Sequence, residues 1–274
     1  MAERSGIEWT DATFNPWWGC ARVSPACAHC YADTLARRYG HSLWEPGAGR
    51  RSLSEAHWKQ PIRWNRQAER DGEPRRVFCA SMADVFEDHP ELGGARSRLW
   101  SLIEETPWLQ WQLLTKRIEN VAAMAPWGDA WPDHVWLGVS VENSRFTYRV
   151  DLLREIPARV RFISAEPLLG SLFEPAVRNR GPLALDGIDW LIAGGESGPR
   201  CRSTDMAWLR ELRDACREHG VDFFFKQLGG HPDKRGKEKA LLDGRLWRQF
   251  PSAPRPIGAR PRVPRATTRL AAAG

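Results

Sequence analysis

Six short apolar runs, each followed by a polar turn and a segment long enough to carry a helix, constrain the architecture of this 274-residue chain most. They are Arg76–Ala80, Gln110–Thr115, Val135–Val141, Arg161–Ala165, Asp189–Ala193 and Asp222–Lys226. Within each run the apolar residues are largely continuous rather than alternating, the pattern of parallel strands covered on both faces. A shorter seventh run, Ile7–Thr10, predicts a first strand. Helix signals fill the intervals. Asp205 is placed to cap a helix on which Trp208, Leu209, Leu212, Ala215 and Cys216 share a face, and Gly220 is placed to end it. Ala95–Glu105 gathers Leu99, Leu102 and Ile103 and stops before Pro107. A third helix is expected over Tyr31–Arg38. This order predicts an α/β fold over residues 1–250: a complete or partial TIM-like (β/α) barrel, for which about 250 residues is an ordinary length.

In such barrels functional residues collect at the C-terminal ends of the strands. The first of the six runs leads into Ser81-Met82-Ala83-Asp84, and the second into Thr115-Lys116-Arg117. Glu142-Asn143 follow the third, Glu166-Pro167 the fourth and Gly194-Gly195-Glu196-Ser197-Gly198 the fifth, and the sixth ends in Lys226-Gln227. Every strand thus ends polar, and acids and lysines are expected around one mouth. A rim made only for solubility does not need Gly194-Gly195 at a strand end. Glycines there let a backbone approach a ligand closely, with Glu196 beside them able to accept from ribose hydroxyls or an amine.

Charge and composition exclude several classes. With 42% hydrophobic and 27% charged residues the chain is not broadly disordered. No apolar run approaches the roughly 18 residues of a membrane-spanning helix. The opening residues Met1–Ser5 carry no basic-then-apolar pattern, so no signal peptide and a cytoplasmic location are expected. The net charge of +6 is concentrated at residues 251–274, which hold five arginines, five prolines and no acid, leaving about +1 for the rest. A tail of that composition is expected to be disordered, a solvated terminal extension that could also touch nucleic acid or another polyanion. Fifteen tryptophans suit cores, interfaces or stacking on bases.

The cysteines are unevenly placed. Cys20, Cys27 and Cys30 lie within eleven residues in a C-x6-C-x2-C pattern, with Gly19 before the loop and Pro25 inside it. Clustered cysteines in a cytosolic chain point to a metal rather than to disulfides. Three ligands leave two readings open besides no metal at all. A zinc site would take a fourth ligand, from His29 or His41, whereas a 4Fe–4S cluster on three thiolates keeps one iron open to another ligand. Cys79 and Cys216 read as buried small hydrophobes. Cys201, after the glycine-rich loop, remains open to a functional role.

The stretch Asn15-Pro16-Trp17-Trp18-Gly19-Cys20, continued by Val23-Ser24-Pro25 and Cys27-Ala28-His29-Cys30-Tyr31-Ala32, resembles a phage-associated, three-cysteine, radical-SAM-like family of unknown substrate. The resemblance continues through Ser81–Phe86, Leu114–Arg117, Trp136–Asn143, Ile163–Gly170, Gly194–Pro199, Phe223–Gln227 and Asp243–Trp247. It spans about residues 6 to 251. It implies a 4Fe–4S cluster on Cys20, Cys27 and Cys30, with S-adenosylmethionine chelating the unique iron. Reductive cleavage would give a 5′-deoxyadenosyl radical that abstracts hydrogen from a substrate, with the electron supplied by a flavodoxin or ferredoxin. It also implies that His29, inside the last cysteine pair, packs near the adenine. The first cysteine gap is six residues where the wider superfamily has three, so the loop must bulge. Gly194-Gly195-Glu196 also follows a later strand than the superfamily's glycine-rich motif.

Two functions from different classes follow. In the first, a radical SAM-type enzyme, His29, Glu142, Asn143, Ser164, Glu166, Gly194, Gly195 and Glu196 are candidates to hold S-adenosylmethionine. Asp84, Lys116, Arg117, Lys226 and Gln227 are then candidates to bind and act on the substrate, which could itself be a nucleic acid or nucleotide. In the second, a nucleic-acid- or partner-binding protein, the cysteines hold a structural zinc or iron–sulfur site.

Overall fold

The computed structural model describes residues 5–174 and 182–252. The tail expected over 251–274 lies outside the described residues from 253 onward. Seven strands form one sheet: β1 (Ala12–Thr13), β2 (Arg75–Cys79), β3 (Leu109–Thr115), β4 (Val135–Ser140), β5 (Arg161–Ala165), β6 (Trp190–Gly194) and β7 (Asp222–Gln227). Each pairs in parallel with the next in sequence, which places the crossover helices along one face of a curving sheet. Those helices are α1 (Tyr31–Arg38), α2 (Glu55–Trp58), α3 (Gln60–Asp71), α4 (Gly93–Glu104), α5 (Val121–Met124), α6 (Tyr148–Arg154) and α7 (Met206–His219). The sheet order begins at β1 and ends at β7. The barrel is therefore partial, a parallel half-barrel. Among the described residues no helix is long and apolar enough to cross a membrane.

Alternation within the strands separates two cores. Val77, Leu113, Leu137, Ile163, Leu191 and Phe223 belong to the larger one, with Leu99, Ile103, Leu153 and Leu209 from the helices. Phe78, Trp136, Phe162, Trp190 and Phe224 form a second, smaller core with Trp9. Gly138 makes that aromatic packing possible, since a Cβ there would stand 2.3 Å from the Phe162 ring. Twelve of the fifteen tryptophans are buried and none of the rest is among the exposed large hydrophobics, so the excess serves packing. The helix signals act as expected. The Asp205 carboxylate accepts from the Ala207 N–H at 2.8 Å, and α7 ends at Gly220 with φ +69°.

The first strand departs from expectation. Ile7–Thr10 forms a turn, and the strand lies at Ala12–Thr13. Trp9 is the physical reason: its ring enters the aromatic core, with centroids 4.6 Å from Phe78 and 6.1 Å from Trp190. A chain extended through Ile7–Thr10 would keep to the edge of the sheet. At the other edge, residues 247–249 run antiparallel beside β7, where Phe225 N–H donates to the Trp247 carbonyl at 2.9 Å. An ion pair between Glu8 and Arg248 joins the two edge segments.

Candidate functional site

The cysteine loop starts where Trp17–Trp18 pairs antiparallel with Arg51–Ser52. Gly19 follows with φ +114°, and a Cβ there would stand 2.9 Å from Arg50 Cδ. Only glycine meets both demands. A single 3-10 turn over Pro25–Cys27 carries the chain to Cys30, which is the N-cap residue of α1. Cys20, Cys27 and Cys30 line one cavity of about 380 Å³, and none is in a disulfide. Burial, reinforced by the Asp84 charge, pushes the Cys20 thiol up to about 12. Burial also pushes the Cys30 thiol up, against the pull of the Asp33 and Ala32 amides.

A buried charge network fastens the loop to the strand ends. Arg117 donates to Asp84 Oδ2 at 2.9 Å, to the Ala21 carbonyl at 2.8 Å and to Cys20 Sγ at 3.5 Å. Asp84 also accepts from Thr115 Oγ1 at 2.8 Å and from the Lys116 N–H at 3.1 Å. Glu87 accepts from the Ala21 N–H at 2.6 Å and from Arg50 Nη2 at 2.8 Å. Asp84 and Arg117, expected to meet substrate, line the cavity and also bind each other and the loop. Glu87 and Arg50 escaped the sequence reading. Glu87 follows directly on the Ser81–Phe86 block, but nothing local marks a buried ion pair 37 residues apart.

The strand ends supply the opposite wall. Lys226 Nζ meets Glu166 Oε1 at 2.7 Å, and Ser164 Oγ donates to Glu166 Oε2 at 3.3 Å. Lys116 Nζ donates to Ser140 Oγ at 3.2 Å. Gln227 gives its amide N–H to the Gly195 carbonyl at 2.9 Å, and its Oε1 is buried without a donor. These strand-end residues and the three cysteines line one cavity together with Asp84 and Arg117.

The other six expected residues do not line it. Glu142 is fully buried and pairs with Arg149 at 3.1 Å. Asn143 accepts from the Arg145 N–H at 3.1 Å and caps a short turn. His29 Nδ1 lies 3.0 Å from Glu196 Oε2, so a carboxylate fixes the orientation of its ring. Glu196 also accepts from the Arg202 N–H and side chain. Burial alone would raise its carboxyl, but the Arg202 and His29 hydrogen bonds outweigh this and hold it at about 2. The glycines let the chain pack closely on itself. A Cβ on Gly195 would stand 2.0 Å from the Leu228 carbonyl oxygen, and one on Gly194 2.9 Å from Glu166 Oε1.

The site fits a metal cluster in its donors: three free thiols facing one cavity, beside a guanidinium that favours thiolate at Cys20. Among the described residues no three His, Cys, Asp or Glu side chains are gathered closely enough to hold a metal ion.

Comparison with known proteins agrees with this architecture. Residues 4–251 match the family described as "Protein of unknown function (DUF5131)". No curated protein sequence matches the chain. A solved structure, a cysteine-to-serine mutant of spore photoproduct lyase, is similar to it with a TM-score of 0.51 and 16% identity. The similarity covers 81% of this chain and 78% of that one. At that identity the likeness is one of fold.

Proposed function

The chain belongs to the DUF5131 family, and from the convergence of three free thiols on the strand-end cavity of a parallel half-barrel we propose that it is a radical SAM-type enzyme. That convergence carries the reading, and the half-barrel likeness to a spore photoproduct lyase supports it. Cys20, Cys27 and Cys30 would hold a 4Fe–4S cluster, leaving one iron for S-adenosylmethionine. When bound, these cofactors supply a 5′-deoxyadenosyl radical that takes a hydrogen atom from the substrate.

The protein's share is binding, orientation and exclusion of water. Arg117, Asp84 and Glu87 hold the bulged cysteine loop against the ends of β2 and β3. Ser164 and Glu166 present hydroxyl and carboxylate oxygens for ribose or amine groups, with Lys226 paired to Glu166. Trp9 and Phe78 contribute apolar lining, which keeps water from a reactive species. Glu142, Asn143, Gly194, Gly195 and Glu196 would act as supports for this site, not as contacts. The electron would come from a flavodoxin or ferredoxin.

The test is anaerobic reconstitution of the full chain with iron and sulfide, followed by reduction. An EPR signal that changes on adding S-adenosylmethionine, together with 5′-deoxyadenosine formation, is the expected result. A colourless protein with one tight zinc and no 5′-deoxyadenosine would refute the proposal.

A further inference from the structure

We propose that the cavity receives its substrate through an oxyanion group, a phosphate or a carboxylate, held by the ammonium groups of Lys116 and Lys234. What then happens to that substrate rests on the radical-enzyme reading; its binding does not. The carboxylates and cations lining the cavity are Asp84, Glu166, Lys116, Arg117, Lys226 and Lys234. Four of these cancel in pairs, Arg117 with Asp84 at 2.9 Å and Lys226 with Glu166 at 2.7 Å. Lys116 donates to the neutral Ser140 hydroxyl. Neither it nor Lys234 has a carboxylate partner among the described residues. Two uncompensated cations facing one cleft with low-dielectric walls focus a positive potential inside it, and lysine binds oxyanions as a point charge.

A second observation marks the same cavity as a ligand site. Gln227 is only 5% exposed, and its Oε1 has no donor. A buried amide oxygen left so costs free energy, so the ligand brings an N–H or O–H as well as an anion.

The test uses the full chain and inorganic pyrophosphate, with citrate as the carboxylate arm, measured by titration calorimetry at fixed salt. Wild type is expected to bind one of the two probes in a one-to-one complex, and which one separates phosphate from carboxylate. Lys116→Met and Lys234→Met should each weaken that binding by about tenfold, the scale of one lost charge-assisted contact, with circular dichroism confirming that each variant is folded. Lys239→Met is the control, because Lys239 is exposed, pairs with Asp233 and lies outside the cavity. No binding of either probe, or equal losses in all three variants, would overturn the proposal. A second titration, on reconstituted protein saturated with S-adenosylmethionine, should leave the probe affinity unchanged. Its loss there would assign the lysines to the cofactor's carboxylate and also overturn the proposal. Failure to form 5′-deoxyadenosine would instead count against the radical reading and leave the first titration to decide the anion site.

Discussion

Arg117 is the residue on which the cysteine loop depends most directly. It touches Cys20, the Ala21 carbonyl and Asp84 together, and its side chain and that of Asp84 are 8% and 7% exposed. Removing one partner of such a pair strands a buried charge and costs roughly 3–5 kcal/mol. Arg117→Met should lower the urea midpoint accordingly and reduce the iron taken up on reconstitution, and Arg117→Lys should recover part of both. Iron uptake equal to wild type in a folded Arg117→Met would show that the guanidinium does not position Cys20. Glu196 carries a pH signature. Its carboxyl is held at about 2 against an ordinary 4.5, so its ionised form stabilises the fold above about pH 4.5 and that contribution is lost as pH falls towards 2. Glu196→Gln should melt below wild type at pH 7, and the gap should close as the pH is lowered through that window. A gap that stayed constant across it would mean that the charge on Glu196 contributes nothing. Cysteine ligation could be proposed from the sequence because the three residues are near neighbours. The Glu87–Arg50 support was hidden because its partners come from distant segments. The Glu196–Arg202 pair was hidden because Arg202 looks like any surface arginine.

At the level of elements, the six later strands were legible because parallel strands buried on both faces need unbroken apolar runs. Ile7–Thr10 misled for the converse reason, since its β-rich composition serves a turn whose tryptophan is drawn into the aromatic core. Glycines at strand ends and in strand interiors were equally ambiguous: Gly195 makes room for the chain's own Leu228 carbonyl, and Gly138 for the Phe162 ring. This gives a sharp expectation for β4. Gly138→Ala forces a methyl into that ring and should cost about 1–3 kcal/mol, the usual penalty for overpacking, read as a lower urea midpoint. Adding Phe162→Leu, which removes the ring, should make the alanine less costly than it is alone. Strictly additive effects would mean that the two positions do not meet.

Taken whole, the molecule has a sheet whose terminal strands have different neighbours, and its two chain ends deal with that jointly. The turn at Ile7–Thr10 sends Trp9 inward, while residues 247–249 flank β7 and Phe250 packs on Trp190 at a centroid distance of 5.4 Å. Glu8 and Arg248 connect these segments, and Arg76 stacks over Phe250 at 4.1 Å. The half-barrel is therefore closed by side chains where a full barrel would use further strands, and its cavity inherits Trp9 as lining. Trp9→Ala should cost roughly 3–5 kcal/mol, as large aromatic truncations in cores do. Because Trp9 also borders the cavity, the same change should weaken S-adenosylmethionine binding in reconstituted protein. A chain ending at Gly244, which lacks Trp247 and Phe250, should lose stability on a similar scale, whereas one ending at Ser252 retains both. The two losses are coupled through Trp190, which touches both Trp9 and Phe250. In thermal melts the combined variant should therefore be less destabilised than the sum of the two changes. Additive losses would mean that the chain ends brace the half-barrel independently, and would undo the idea of a single plug that both closes the sheet and shapes the floor of its site.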